Sequence, residues 1–87
     1  MSLRLEQNYP NPFNTTTTIS YALPQRSHVT LTVFNTLGQL VATLVNDEEQ
    51  AGNHELRFDG LNLASGSYFY RLSAGSFVKT MRCLLMK

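Results

Sequence analysis

His28-Val29-Thr30-Leu31-Thr32-Val33 sets Val29, Leu31 and Val33 on one side of an extended chain and Thr30 and Thr32 on the other. Alternation with period two is the pattern of a strand with one face in a core and one in water. A helix would space its apolar residues three or four apart. The same rhythm recurs on both sides. Upstream, Thr18 to Leu23 groups Ile19, Tyr21 and Leu23. Downstream, Asn53 to Phe58 turns Leu56 and Phe58 inward and Asn53, Glu55 and Arg57 outward, while Ser67 to Ser73 sets Tyr68, Tyr70 and Leu72 against Phe69 and Arg71. The predicted core is Ile19, Tyr21, Val29, Leu31, Val33, Leu56, Phe58, Tyr68, Tyr70 and Leu72.

The glycines Gly38, Gly52, Gly60, Gly66 and Gly75 fall between these runs and none interrupts one, which is the placement of turn residues. Gln39 to Val45 is apolar on both parities and is read as a central strand, with Asp47-Glu48-Glu49 as a loop after it. Ser76 to Met86 is the last strand, joined to its predecessor by a tight turn at Ala74-Gly75. Leu5 to Phe13 holds Pro10 and Pro12, which cannot donate to a ladder, so it is expected to lie extended on an edge or across one end. Six short strands at roughly ten-residue spacing, with this segment in front, predict an all-β fold: one immunoglobulin-like antiparallel β-sandwich of about seven strands. Residues 1–4 read as a linker or cloning remnant and residues 5–87 as the domain. Met1-Ser2-Leu3 has neither the basic nor the apolar region of a signal peptide.

Composition narrows the function classes. Eighty-seven residues make one small domain, with little room for a buried enzyme pocket. Seven Lys and Arg against six Asp and Glu lack the basic excess of a nucleic-acid-binding face. The single cysteine, Cys83, rules out an internal disulfide and a Cys-rich zinc site. A Cys83–His28 or Cys83–His54 nucleophile pair has no local signature, and Cys83 sits in an apolar strand where a thiol packs as a small hydrophobe. His54 shares the parity of Leu56 and Phe58 and is expected to rest on the core. Three consecutive acids do not alternate as a calcium loop requires. No catalytic, cofactor or metal residues are predicted. Carbohydrate binding is the rival class: there is no Trp, but Phe34 and Phe69 break the inward parity and are candidates for outward rings.

The last strand departs from the pattern. Phe77, Met81, Cys83 and Leu85 occupy its odd positions and Val78, Leu84 and Met86 its even ones, so both faces are apolar towards Leu84-Leu85-Met86-Lys87. Either the fold covers both faces or a strip is left for a partner. Lys79, Arg82, Leu84, Leu85, Met86 and Lys87 are therefore the candidate recognition residues, and weak self-association through this strand is the competing use of such a strip.

Leu5-Glu6-Gln7-Asn8-Tyr9-Pro10-Asn11-Pro12-Phe13-Asn14 followed by Thr17-Thr18-Ile19 resembles the opening of the type A C-terminal sorting domain of the type IX secretion system. The similarity continues through Val33 to Gln39 around Gly38, Ala51-Gly52, Leu63 to Leu72 around Gly66 and Tyr68, and the basic-apolar ending from Lys79 to Lys87. Thr15 stands where the family often has proline, and Cys83 lies within the usual apolar ending. The immunoglobulin-like domain of flagellar hook-capping proteins shares the Tyr9-Pro10-Asn11-Pro12-Phe13 opening but tends to have Trp where Phe58 stands. The resemblance implies a non-catalytic address at the end of a secreted parent, a hydrolase or an adhesin. It would pass through the periplasm and outer membrane to the cell surface, recognised by the outer-membrane machinery and removable by a sortase-like peptidase. The second reading is a carbohydrate-binding or other accessory module of a secreted glycoside hydrolase or protease.

Overall fold

The computed structural model describes residues 2–87. Seven strands run in chain order: β1 (Arg4–Leu5), β2 (Thr16–Leu23), β3 (Ser27–Asn35), β4 (Leu40–Glu49), β5 (Gly52–Asp59), β6 (Gly66–Ala74) and β7 (Phe77–Leu85). They form two antiparallel sheets, β1-β2-β5 and β4-β3-β6-β7, packed as a sandwich. The alternating runs explain the arrangement. Ile19, Tyr21 and Leu23 of β2 face Val29, Leu31 and Val33 of β3 and Tyr68, Tyr70 and Leu72 of β6 across one continuous core. Nine of the ten predicted core residues are buried, and Leu56 packs against them half-buried. Leu5, Phe13, Leu23, Cys83 and Leu85 complete the interior.

Three local expectations are corrected. Gln39 to Val45 does not form a central strand: β4 is an edge, paired only with β3. Its two-sided apolarity comes from register shifts. Leu31 and Thr32 oppose Val45 and Thr43, leaving Leu44 extra, and Val33 and Phe34 oppose Ala42 and Leu40, leaving Val41 extra. Each extra residue flips the parity, so Val41, Ala42, Leu44 and Val45 all pack on the core from one edge strand. Asp47-Glu48-Glu49 is not a loop but the end of β4, paired with Val29, His28 and Ser27. The β6–β7 turn is Gly75-Ser76, one residue later than expected, between the paired Ala74 and Phe77. Gly75 takes a φ of 61°, the left-handed conformation such a two-residue turn demands.

The N-terminal segment joins the two sheets. Arg4 and Leu5 pair with Ala22 and Tyr21, and Leu3 packs on the core, so the sandwich reaches two residues before Leu5. Glu6 and Tyr9 continue along β2 through Glu6 N–H to Ser20 O (2.9 Å) and Tyr9 N–H to Thr18 O (3.0 Å). The chain then crosses through Pro10-Asn11-Pro12, with cis peptide bonds before both prolines, and Phe13 bridges in parallel to Leu85. The prolines fall where the segment leaves one ladder for another.

Candidate functional site

The residues that could carry chemistry lie apart. Cys83 is buried on the inward face of β7, where burial pushes its thiol up to about 11. It is therefore an un-ionised packing group at neutral pH. His28 is exposed on β3, with Nε2 2.8 Å from Asn46 Oδ1 and Nδ1 3.7 Å from Glu48. His54 on β5 stacks on Tyr21 (ring centroids 5.2 Å apart), with Nε2 2.7 Å from Gln50 O and Nδ1 3.5 Å from Glu49. Tyr21 donates its hydroxyl to Glu49, so Tyr21, His54 and Glu49 tie β2, β5 and β4 together at one end of the sandwich. Burial first, then this hydrogen bond and the carboxylate charge, push the Tyr21 phenol well above its ordinary value. These contacts tie strands together and bring no nucleophile to a base.

Phe34 and Phe69 do face outward, side by side in register on β3 and β6, and both are half-buried. Arg71 lies over the Phe34 ring, 4.6 Å from its centroid. That cation occupies the ring face a sugar would stack on.

At the other end of β7 the N-terminal segment becomes a clasp. Tyr70 donates to Glu6 O (2.8 Å) and accepts from Asn8 N–H (2.8 Å). Its phenol is pushed up to about 12, chiefly by burial, against the lowering effect of the Asn8 hydrogen bond. Asn8 is buried and satisfied, its amide donating to Thr17 Oγ1 (3.0 Å) and Pro10 O (3.2 Å). From this knot the clasp reaches the outer edge of β7. Gln7 Nε2 donates to Arg82 O (2.8 Å), and Leu84 N–H donates to Asn11 Oδ1 (3.0 Å). Phe13 N–H donates to Leu84 O (2.9 Å), and Met86 N–H donates to Phe13 O (2.9 Å). Phe13 itself is buried against Phe58 (5.8 Å between centroids). Gly60 closes over the seat: a Cβ there would lie 3.0 Å from Leu85 Cδ2 and 3.2 Å from Phe13. Tyr9, by contrast, points its ring into solvent.

The six recognition candidates therefore separate. Leu85 is in the core and Leu84 is half-buried on the outer face, whereas Lys79, Arg82, Met86 and Lys87 are exposed. Lys87 is held at the surface, its N–H on Ser65 Oγ (2.9 Å) and its ammonium on Leu61 O (2.5 Å). Gly38 and Gly66 sit at the Asn35–Gln39 turn and the start of β6, and Tyr68 donates to Ala64 O (2.7 Å) across the bend before β6. Parity alone does not reveal the clasp, because its partners on β6 and β7 are more than sixty residues away; the prolines are the signal that this segment leaves one sheet.

A model of the family described as the secretion system C-terminal sorting domain matches residues 7–86, from the clasp to the end of β7. No curated protein matches the chain. Such a domain is a non-catalytic signal for type IX secretion, directing export through the outer membrane to the cell surface or beyond, and it engages the secretion machinery on behalf of a protein attached N-terminally. The fold, the ordered motifs and the match cover the same stretch, and the chain belongs to the secretion system C-terminal sorting domain family.

Proposed function

We propose that the surface read by the outer-membrane machinery is the solvent-accessible part of the C-terminal strand and its end, Lys79, Arg82, Leu84, Met86 and Lys87, with Lys79 on the opposite side of the strand from Arg82 and Leu84, and that Leu85 fixes it from the core side. The observation that carries this reading is the division within the ending: Leu85 is 1% exposed while the adjacent Met86 is 56% exposed. A large apolar side chain held open beside a core anchor is a surface suited to a partner. The domain works as one unit from the clasp to Lys87, its cargo is a secreted hydrolase or adhesin, and a sortase-like peptidase removes it after transit. The test replaces Met86 and Lys87 by serine and leaves Leu85 in place. The melting temperature is expected to stay near that of the parent domain, while export of a fused reporter in a host with the secretion system falls sharply. Normal export by this folded variant would end the proposal.

A further inference from the structure

Half of the free edge of β7 is closed and half is open. The groups engaged by the clasp belong to Arg82, Leu84 and Met86, all even-numbered. In an antiparallel ladder alternate residues direct both backbone groups to the same neighbour, so the even residues of β7 turn theirs away from β6. Val78 and Thr80 follow the same alternation, and neither has a backbone partner on that side among the described residues. Both are exposed, Val78 to 59%. An unpaired edge of this kind is a template for one more strand.

Charge selects the strand. From Phe77 to Leu85, β7 carries Lys79 and Arg82 and no acid. Neither makes a salt bridge among the described residues. Lys79 stands opposite Leu72 on the core-facing parity; Arg82 stands opposite Phe69 on the outer parity, where Arg71 of β6 adds a further cation. The opposite edge of this sheet is unsuited to the same partner, because β4 is interrupted twice in register and ends in Asp47-Glu48-Glu49.

The geometry points to an extended acidic segment of another protein as the occupant, adding antiparallel to Val78–Arg82 as a fifth strand. Its acids stand three residues apart, one against Arg82 on the outer face and one against Lys79 on the other. An apolar residue between them meets Met81, and a β-branched one meets Thr80. This inference rests on the reading of β7 as the recognised strand and supplies the chemistry of its partner.

The test titrates the isotopically labelled domain with the peptide Thr-Glu-Leu-Thr-Glu-Val-Thr and with its counterpart carrying Lys at both Glu positions. Amide shifts are expected to move at Val78, Thr80 and Arg82, with the lysine peptide binding at least about tenfold more weakly and added salt weakening the acidic peptide. Thr80→Pro removes only an outward N–H and is expected to abolish binding, with its amide spectrum reporting the fold. Lys79→Glu with Arg82→Glu is the second variant, expected to reverse the peptide preference. Absence of binding, equal binding of the two peptides, or shifts confined to β4 would overturn the inference. So would self-association of the free domain lost in the double charge variant, which assigns the edge to a second copy. The two readings fail separately. Peptide binding at β7 with normal export after the Met86 and Lys87 replacements sinks the recognition surface alone. Lost export there without peptide binding sinks the acidic partner alone.

Discussion

β4 and β7 border the same four-stranded sheet and protect their edges by different means. β4 is spoiled from within: two extra residues, Val41 and Leu44, break its register, and three consecutive acids end it. Bulges and charge make a poor template for another strand. β7 stays in register with β6 along all nine residues and is closed from outside, over its second half, by Gln7, Asn11 and Phe13. The first kind of protection cannot be removed without changing the strand. The second is a separate segment, held on by a few named contacts, so its removal would leave β7 able to pair.

The comparison can be broken hardest at Phe13. Phe13→Ala empties a buried seat between Phe58, Gly60 and Leu85 and is expected to cost about 3–5 kcal/mol by denaturant unfolding. A cost well below about 1 kcal/mol would show that the clasp is an ornament on an already stable β7. A pH titration is the next largest. Tyr70 keeps its proton up to about 12 in the native state and only to 10.0 when unfolded, so its contribution is complete below pH 10.0 and is lost as pH climbs through 12. At about 1.4 kcal/mol per unit, this is on the order of 2–3 kcal/mol. Tyr70→Phe is expected to make that part of the profile shallower, the raised Tyr21 phenol still contributing there, and hydrogen exchange should show β7 opening before β4, since Tyr70 holds Glu6 and Asn8.

Smaller changes sharpen the contrast. Asn11→Ala removes the acceptor for Leu84 N–H at an exposed position, with an expected cost of about 0.5–1.5 kcal/mol and faster exchange at Leu84 than in the parent domain, while the β4 amides are unchanged. Leu40→Thr on the already exposed start of β4 should stay within about 0.5 kcal/mol of the parent domain. A larger loss there would mean that β4 depends on its outer face after all.

What could be read from the sequence follows the same division. β2, β3, β5 and β6 were legible because each buries one face, so period two survives along their length. β4 was misplaced because a bulge converts one-sided burial into two-sided apolarity, and nothing in Leu40-Val41-Ala42-Thr43-Leu44-Val45 distinguishes a bulged edge from a central strand. In β7 the excess of apolar residues was visible, but its division was not. Leu85 differs from Leu84 only in which side of the sheet it meets, and the clasp that fixes the edge comes from the far end of the sequence. The prolines announced a departure from one ladder without naming the next.

The joining of Phe13 to Leu84 and Met86 also bears on when the domain can fold. The chain is made from its N-terminus, so Phe13 emerges before Leu84 and Met86 and must wait for more than seventy further residues before its strand partners exist. Pairings this distant in sequence are slow to form and close last. A chain broken off before Leu84 leaves Phe13 without its strand partners and without the Leu85 side of its seat, and β7 without the cover of Asn11 and Phe13. A closed sandwich is in this sense a certificate that synthesis ran at least as far as Met86, so any receptor that reads the folded ending also screens out truncated cargo.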